Sequence, residues 1–332
     1  MRRGPVGFWA GLVVLAPFVL GINTAGASAT KGDQVLRFTD PAIVEASALV
    51  VQDGLFLTTN DSGDTGRVFA VAGDGRTVGV TQWSRHPTDC EALAPAGPGA
   101  VWVGDIGDNL SHRPAISITR VPVGTGHRAV RVTTYRLGYP DGAHDAETLL
   151  RNPVSGRLYI ATKQLFGGGL YAVPAHLSAT SVNPLRRLGG VLPVATDGSF
   201  FPDGRHLVIR DYTSATVYSW PSLQAVASFP LPSQQQGEGI AVAADDTVYV
   251  SSEGVRSAVL RVPLPAGVRR SLAPAGSSPA PSPAPAPSPS SGEPPAGSAV
   301  PSDTTRSPWP WALGGLLAAG AIVVLLRALR PR

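Results

Sequence analysis

An acidic residue, a small residue and a short apolar strand recur in that order five times between residues 45 and 243. The five are Glu45-Ala46-Ser47-Ala48-Leu49-Val50, Glu91-Ala92-Leu93-Ala94, Glu147-Thr148-Leu149-Leu150, Asp197-Gly198-Ser199-Phe200 and Glu238-Gly239-Ile240-Ala241-Val242. The acids stand 46, 56, 50 and 41 residues apart. A period of about 40 to 50 residues with β-rich content is the pattern of blades set round an axis, because one such unit cannot bury both of its faces alone. Equivalent positions of successive blades meet near that axis. The repeat therefore predicts an all-β propeller, and a place where carboxylates from distant parts of the chain converge.

Within each unit the chain reads as short strands rich in Val, Leu, Tyr and Phe, bounded by turn residues. The first unit gives strands at 48–51, 55–59, 67–72 and 77–83, with turns at Asp53-Gly54 and Asp74-Gly75. The second gives an inner strand at Leu93, then 100–104, 115–121 and 129–137. The third gives 148–151, 158–162, 169–173 and an outer segment through Leu188, and the fourth 198–201, 206–210, 215–220 and 225–229. The fifth has only three, at 239–243, 247–251 and 258–262. Gln34 to Phe38, ahead of the first unit, is the candidate for the missing strand; pairing there would close the ring and remove its open edges. Five blades follow, with six as the alternative if Pro174 to Pro193 hides another. Helical periods are absent outside the two ends.

Those ends predict a topology. Arg2 and Arg3, an apolar run from Val6 to Ile22 and small residues through Ala29 have the layout of a secretory signal over residues 1–29, with cleavage after Ala29 or, failing that, Ala27. The propeller is expected over 32–266 and a Pro/Ser/Ala-rich stalk over 267–308. From Ala273 to Pro308 the stalk has 36 residues, which at about 3.1 Å each in an extended polyproline form reach roughly 110 Å. Residues 309–326 form an apolar stretch of 18, long enough at about 1.5 Å per residue to cross roughly 27 Å of bilayer. Trp309 and Trp311 suit the interface, and Arg327, Arg330 and Arg332 favour a cytoplasmic tail over 327–332. The expectation is a cell-membrane protein with one C-terminal transmembrane helix and its propeller outside. The formal charge of +4 includes five arginines of these two ends, leaving about −1 for the remainder, so nucleic acid is excluded as a partner. One cysteine, Cys90, excludes an internal disulfide; between Asp89 and Glu91 it reads as a buried core thiol.

In propellers the loop entering the inner strand and the loop leaving the second strand open on one face. The first holds Glu45, Glu91, Glu147, Asp197 and Glu238, and the second holds Asp61, Asp105, Asp108, Lys163, Arg210 and Glu253. Charge confined near an axis is costly unless it is paired or bound to a cation. Two readings follow. The five anchoring acids, Glu45, Glu91, Glu147, Asp197 and Glu238, hold a hard cation such as Ca2+, which takes oxygen ligands. Alternatively they hydrogen-bond backbone N–H groups and mark the blades structurally.

The segments Asn60-Asp61-Ser62-Gly63, Gly104-Asp105-Ile106-Gly107-Asp108-Asn109, Asp145-Ala146-Glu147, Pro202-Asp203-Gly204-Arg205 and Gly237-Glu238-Gly239-Ile240-Ala241 resemble exported actinobacterial β-propeller proteins over about residues 36 to 262. More distantly, Glu-Gly-Ile-Ala before a strand is similar to the esterase-like phytase and gluconolactonase propellers. That resemblance implies the fold and an axial divalent ion; no histidine pattern carries an activity across. G-x-S-x-G, P-loop, GxGxxG and H-E-x-x-H motifs are absent. His144 reads as a turn histidine and Gly167-Gly168-Gly169 as a hairpin turn. No catalytic residue is assigned. The expected role is binding of a cell-envelope, carbohydrate or protein ligand, with a divalent-metal-dependent hydrolase of phosphate esters or lactones as the alternative.

Overall fold

A computed structural model describes residues 32–273, Ser62 and Arg85 excepted. The signal segment, the stalk beyond 273, the apolar stretch 309–326 and the basic tail lie outside the described residues. Among the described residues no helix is long and apolar enough to cross a membrane.

Strand β1 (Asp33–Arg37) opens the chain but belongs to the last sheet. Blade I contains β2 (Val50–Gln52), β3 (Leu55–Thr58), β4 (Arg67–Val71) and β5 (Thr77–Trp83). Blade II starts with β6 (Cys90–Pro95), β7 (Ala100–Asp105) and β8 (Ile116–Pro122); β9 (Gly126–Val130) then leaves it, and β10 (Thr134–Gly138) completes it. Blade III is β11 (Ala146–Arg151), β12 (Leu158–Thr162), β13 (Gly168–Ala172) and, after the short β14 (Asn183–Pro184), β15 (Arg186–Val191). Blade IV is β16 (Asp197–Phe200), β17 (His206–Arg210), β18 (Ser214–Ser219) and β19 (Ala225–Pro230). Blade V is β20 (Gly237–Val242), β21 (Val248–Ser252), β22 (Ala258–Val262) and the returning β1.

The inner strands β2, β6, β11, β16 and β20 neighbour one another in that order, and β20 returns to β2, so the ring is closed with five blades. Closure is made by β1, which pairs antiparallel with β22 from Asp33↔Arg261 to Arg37↔Ala258, as the stretch Gln34–Phe38 predicts.

Each sheet packs on two neighbours, so its middle strands must be apolar on both faces. Strands β12 and β13 are buried at every position, whereas the outer β9 and β19 are largely exposed. The core accordingly consists of five apolar clusters, one between each pair of adjacent blades. Cys90 lies in the cluster between blades I and II, its Sγ 3.5 Å from Thr59 Oγ1, and burial pushes its thiol pKa up.

Three features differ from the sequence expectation. The single outer strand expected at 129–137 is two: β10 takes the outer place in blade II, while β9 adds to blade I in parallel with β5. The segment 174–193 is no sixth blade; it supplies β14, parallel to β10, and the outer strand β15. These excursions cover the outer edges of blades I and II, which would otherwise present unpaired backbone. Finally, helix α1 (Ala266–Leu272) follows the ring with Val268 fully buried in the cluster between blades IV and V. Seven residues with one buried side chain are too short to show a helical period.

Candidate functional site

The strand register decides which repeated acids are equivalent. In blades II and III the inner strand makes one bridge (Cys90↔Asp105, Ala146↔Thr162), skips one residue, and resumes at Ala92↔Gly104 and Thr148↔Ala161. The skipped residues are Glu91 and Glu147. In blade V the same irregularity lies between Gly237 and Ile240, at Glu238. Bulges of this kind re-aim a side chain, here for three glutamates left only 4–5 % exposed. Blade I has its bridge at Ala46↔Asn60, which puts the buried Ser47 in the glutamate column.

Glu45 stands two residues earlier and is exposed. Its carbonyl accepts the N–H of Asp61, as those of Asp89, Asp145 and Gln236 accept from Gly107, Lys163 and Glu253. Glu45 therefore shares a column with Asp89 and Asp145. Asp197 sits inside the ladder opposite Arg210, while Thr196 precedes it. The five anchors thus occupy three different columns.

Several polar residues of this face are structural. Asp197 Oδ2 accepts the N–H groups of Ile240 (2.8 Å) and Leu49 (3.3 Å), tying blade IV to blades V and I. Asp105 Oδ1 accepts from Thr88 and Asp89 and pairs with Arg113 at 2.9 Å; Asn60 does the same in blade I for Val44 and Glu45. Asp108 accepts from the N–H groups of His112 and Arg113, fixing its loop. Arg210, fully buried, donates to Gln234 Oε1 and to the carbonyls of Asp211, Tyr212, Gly239 and Ser251. Burial lowers its pKa to about 10. A Cβ on Gly237 would stand 2.1 Å from Arg210 Nη2, so that glycine makes room for the guanidinium. Lys163 pairs with Glu147 Oε1 and lies 5.1 Å from the Tyr212 ring centre.

One group is different. Carboxylate oxygens of Asp61, from blade I, and of Asp89 and Glu91, from blade II, lie within 4.8 Å of one another. Asp61 hydrogen-bonds both of the others. Burial first, then the neighbouring Glu147, Asp61 and Asp89, pushes Glu91 up to about 11. Burial, then Asp61, pushes Asp89 up to about 6, only partly opposed by Arg113, whose guanidinium is committed to Asp105. Glu147 rises to about 9 through burial despite Lys163, Glu238 rises through burial against Lys163 and Arg210, and half-buried Glu253 rises to about 7 through burial and Glu238. A Cβ on Gly107 would meet Asp89 Oδ2 at 2.4 Å and Glu91 Cγ at 2.8 Å, so the backbone of the loop after β7 lies directly against the pair.

Negative charge collected this way is stabilised by protons or by a cation. Glu147 Oε2 is buried with no hydrogen-bond partner among the described residues, and so is Ser47 Oγ in the same column. The donors are all oxygens, which suits a hard divalent ion such as Ca2+ better than a soft one. Asp61, Asp89 and Glu91 would hold it, with Glu147 beside them.

Exposed apolar side chains stand on the same face. The loop after β12 carries Leu165 and a fully exposed Phe166, immediately beyond Lys163. Leu110 caps the loop after β7, and Val255 the loop after β21. Of these functional residues, sequence reading passed over Asp89 as a site residue, because it sat beside Cys90, and passed over the loop tips. Lone apolar residues in loops carry no periodic signal.

No protein-family model matches the sequence, and no curated protein matches it. Solved structures similar to the chain include a nidogen/laminin complex (15 % identity, TM-score 0.40, covering 63 % of this chain and 73 % of that one). They also include a glucose dehydrogenase (12 % identity, TM-score 0.42, covering 71 % of this chain and 100 % of that one). The five-bladed fold rests on the chain's own strand pairing.

His144, the histidine closest in sequence to an anchor, is held as a structural group. Its Nε2 lies 3.1 Å from Asp141 and 3.2 Å from Tyr171 Oη, its Nδ1 is 3.0 Å from Gln164, and its ring is edge-on to Tyr139. Both ring nitrogens are engaged away from the carboxylate trio.

Proposed function

We propose that the protein is an extracytoplasmic binding module, held at the cell membrane by its C-terminal apolar segment, whose axial face takes a carbohydrate or protein ligand of the cell envelope. The observation that carries this reading is a juxtaposition: one face presents both the Asp61, Asp89 and Glu91 carboxylates and the fully exposed Phe166. Asp61, Asp89 and Glu91 would hold a divalent cation, which would supply a positive charge for ligand hydroxyls or carboxylates. Leu110, Leu165 and Phe166 supply apolar contact around it, and rigid aromatics of this kind serve as binding anchors. The export signal, stalk and membrane helix that place the domain outside the cell rest on the sequence pattern.

A hydrolase at the same mouth needs a base within reach of a water at the cation. His144 has both ring nitrogens occupied and is not such a base; His112, which lines the same pocket as Asp89, is the residue a hydrolase would have to use. The test is a glycan and peptide array probed with the full-length protein, with and without Ca2+, alongside a Leu165→Ser/Phe166→Ser variant. Ligands that require Ca2+ and are lost in the variant are expected. Ligands retained at equal strength by the variant would contradict the assignment of this face.

A further inference from the structure

The opposite end of the axis has another character. Alternate residues of an inner strand point the same way, so the lumen side of each blade continues downward from the mouth in steps of two. Below Ser47, Glu91 and Glu147 come Leu49, Leu93 and Leu149, all 2 % exposed or less. These three leucines, each also part of a cluster between blades, line a cavity of about 230 Å3 at the lower end. Every blade contributes to its wall, through Leu49, Leu93, Leu149, Phe200 and Ala241. The wall includes one charged side chain, Arg151, at the end of β11. Arg151 is half-buried; its guanidinium lies beside Gly156 of the following turn and has no hydrogen-bond or ion-pair partner among the described residues.

We propose that this lower cavity binds a small organic carboxylate with an apolar body, its carboxylate on Arg151 and its body against the three leucines. Size sets the body. An aliphatic cavity of about 150 Å3 holds benzene, so 230 Å3 accommodates one ring or a short branched chain together with a carboxylate. Charge sets the head. A guanidinium forks onto a carboxylate through two parallel N–H bonds, and a single guanidinium balances a single negative charge. A phosphate monoester would leave one charge uncompensated against apolar walls. The lower pocket and the acidic mouth share the axis, yet they select opposite charges.

Sodium benzoate is the probe, titrated into the full-length protein by calorimetry and by ligand-observed NMR. Saturable one-to-one binding is expected with Kd of about 1 mM or tighter, a modest efficiency for so small a ligand. Arg151→Met weakens it at least about tenfold, the scale of one lost charge-assisted pair, while benzyl alcohol binds the wild type about as weakly as benzoate binds the variant. Ala243→Leu, which fills the half-buried lower mouth, abolishes binding; its unchanged melting temperature shows that the fold is intact. No saturable uptake by the wild type, or equal affinity in Arg151→Met, overturns the proposal. Binding that survives Ala243→Leu places the benzoate elsewhere and overturns it as well.

Discussion

The two sides of the axial mouth hold similar numbers of acids but treat them differently. Around blades III to V the buried acids have counterparts: Glu147 has Lys163 on Oε1, with Oε2 left unpartnered, Glu238 has Gln236 and the nearby Lys163 and Arg210, and Asp197 accepts three backbone N–H groups. Between blades I and II, carboxylate oxygens of Asp61, Asp89 and Glu91 lie within 4.8 Å of one another, and Arg113, the cation that acts on Asp89, is paired with Asp105. The compensated side ties neighbouring blades together, as a closed ring requires. The other side stores repulsion that only protons or a cation relieve. Asp197 therefore acts as a structural blade marker, whereas the cation reading is a proposal that rests on Glu91 standing beside Asp61 and Asp89.

The comparison breaks most visibly on the compensated side. Arg210→Met removes a buried cation and leaves Gln234 Oε1 and several carbonyls without their donor, which costs about 3–5 kcal/mol by denaturant unfolding. On the other side removal has the opposite sign. Without divalent ions, Asp61→Asn relieves like-charge contact and raises stability by about 1 kcal/mol.

The pH dependence follows from the raised acids. A carboxyl whose folded pKa exceeds its unfolded value contributes stability that is fully present below the unfolded value and lost as pH rises through the folded one. With Asp89 at about 6, Glu253 at about 7 and Glu147 at about 9, that loss begins near the ordinary carboxyl value of about 4 and runs up to about pH 9. The melting temperature in chelator should fall from pH 5 to pH 9, and Ca2+ should flatten the fall by replacing the protons. Gly107→Ala, which pushes a methyl into Asp89 and Glu91, should lower Ca2+ affinity at least about tenfold, a cost of about 1.4 kcal/mol, seen by calorimetry. Smallest in stability is Leu165→Ser/Phe166→Ser, within about 0.5 kcal/mol of wild type because both side chains are already in solvent.

Much of the architecture was legible. The inner-strand repeat predicted five blades, and the unpaired strand at Gln34–Phe38 predicted how the ring closes. What stayed hidden was non-local or a matter of one residue. Parallel pairing of β9 with β5 joins residues 47 positions apart and leaves no local period. The bulge at Glu91 and Glu147 shifts register by one, so acids aligned by spacing fall into different columns once the strands pair. Asp61 was visible in the polar series after the second strand, but its meeting with Asp89 and Glu91 depends on blade I standing beside blade II.

We propose that the unbalanced side of the mouth, at Asp61, Asp89 and Glu91, is a cation site. Calorimetric titration of the chelator-treated full-length protein with Ca2+ at alkaline pH, in two buffers of different ionisation enthalpy, tests it directly. The account predicts one ion per chain, protons released on binding, and loss of both in Asp61→Asn/Glu91→Gln. An absence of binding, or binding that the double substitution leaves unchanged, would contradict it.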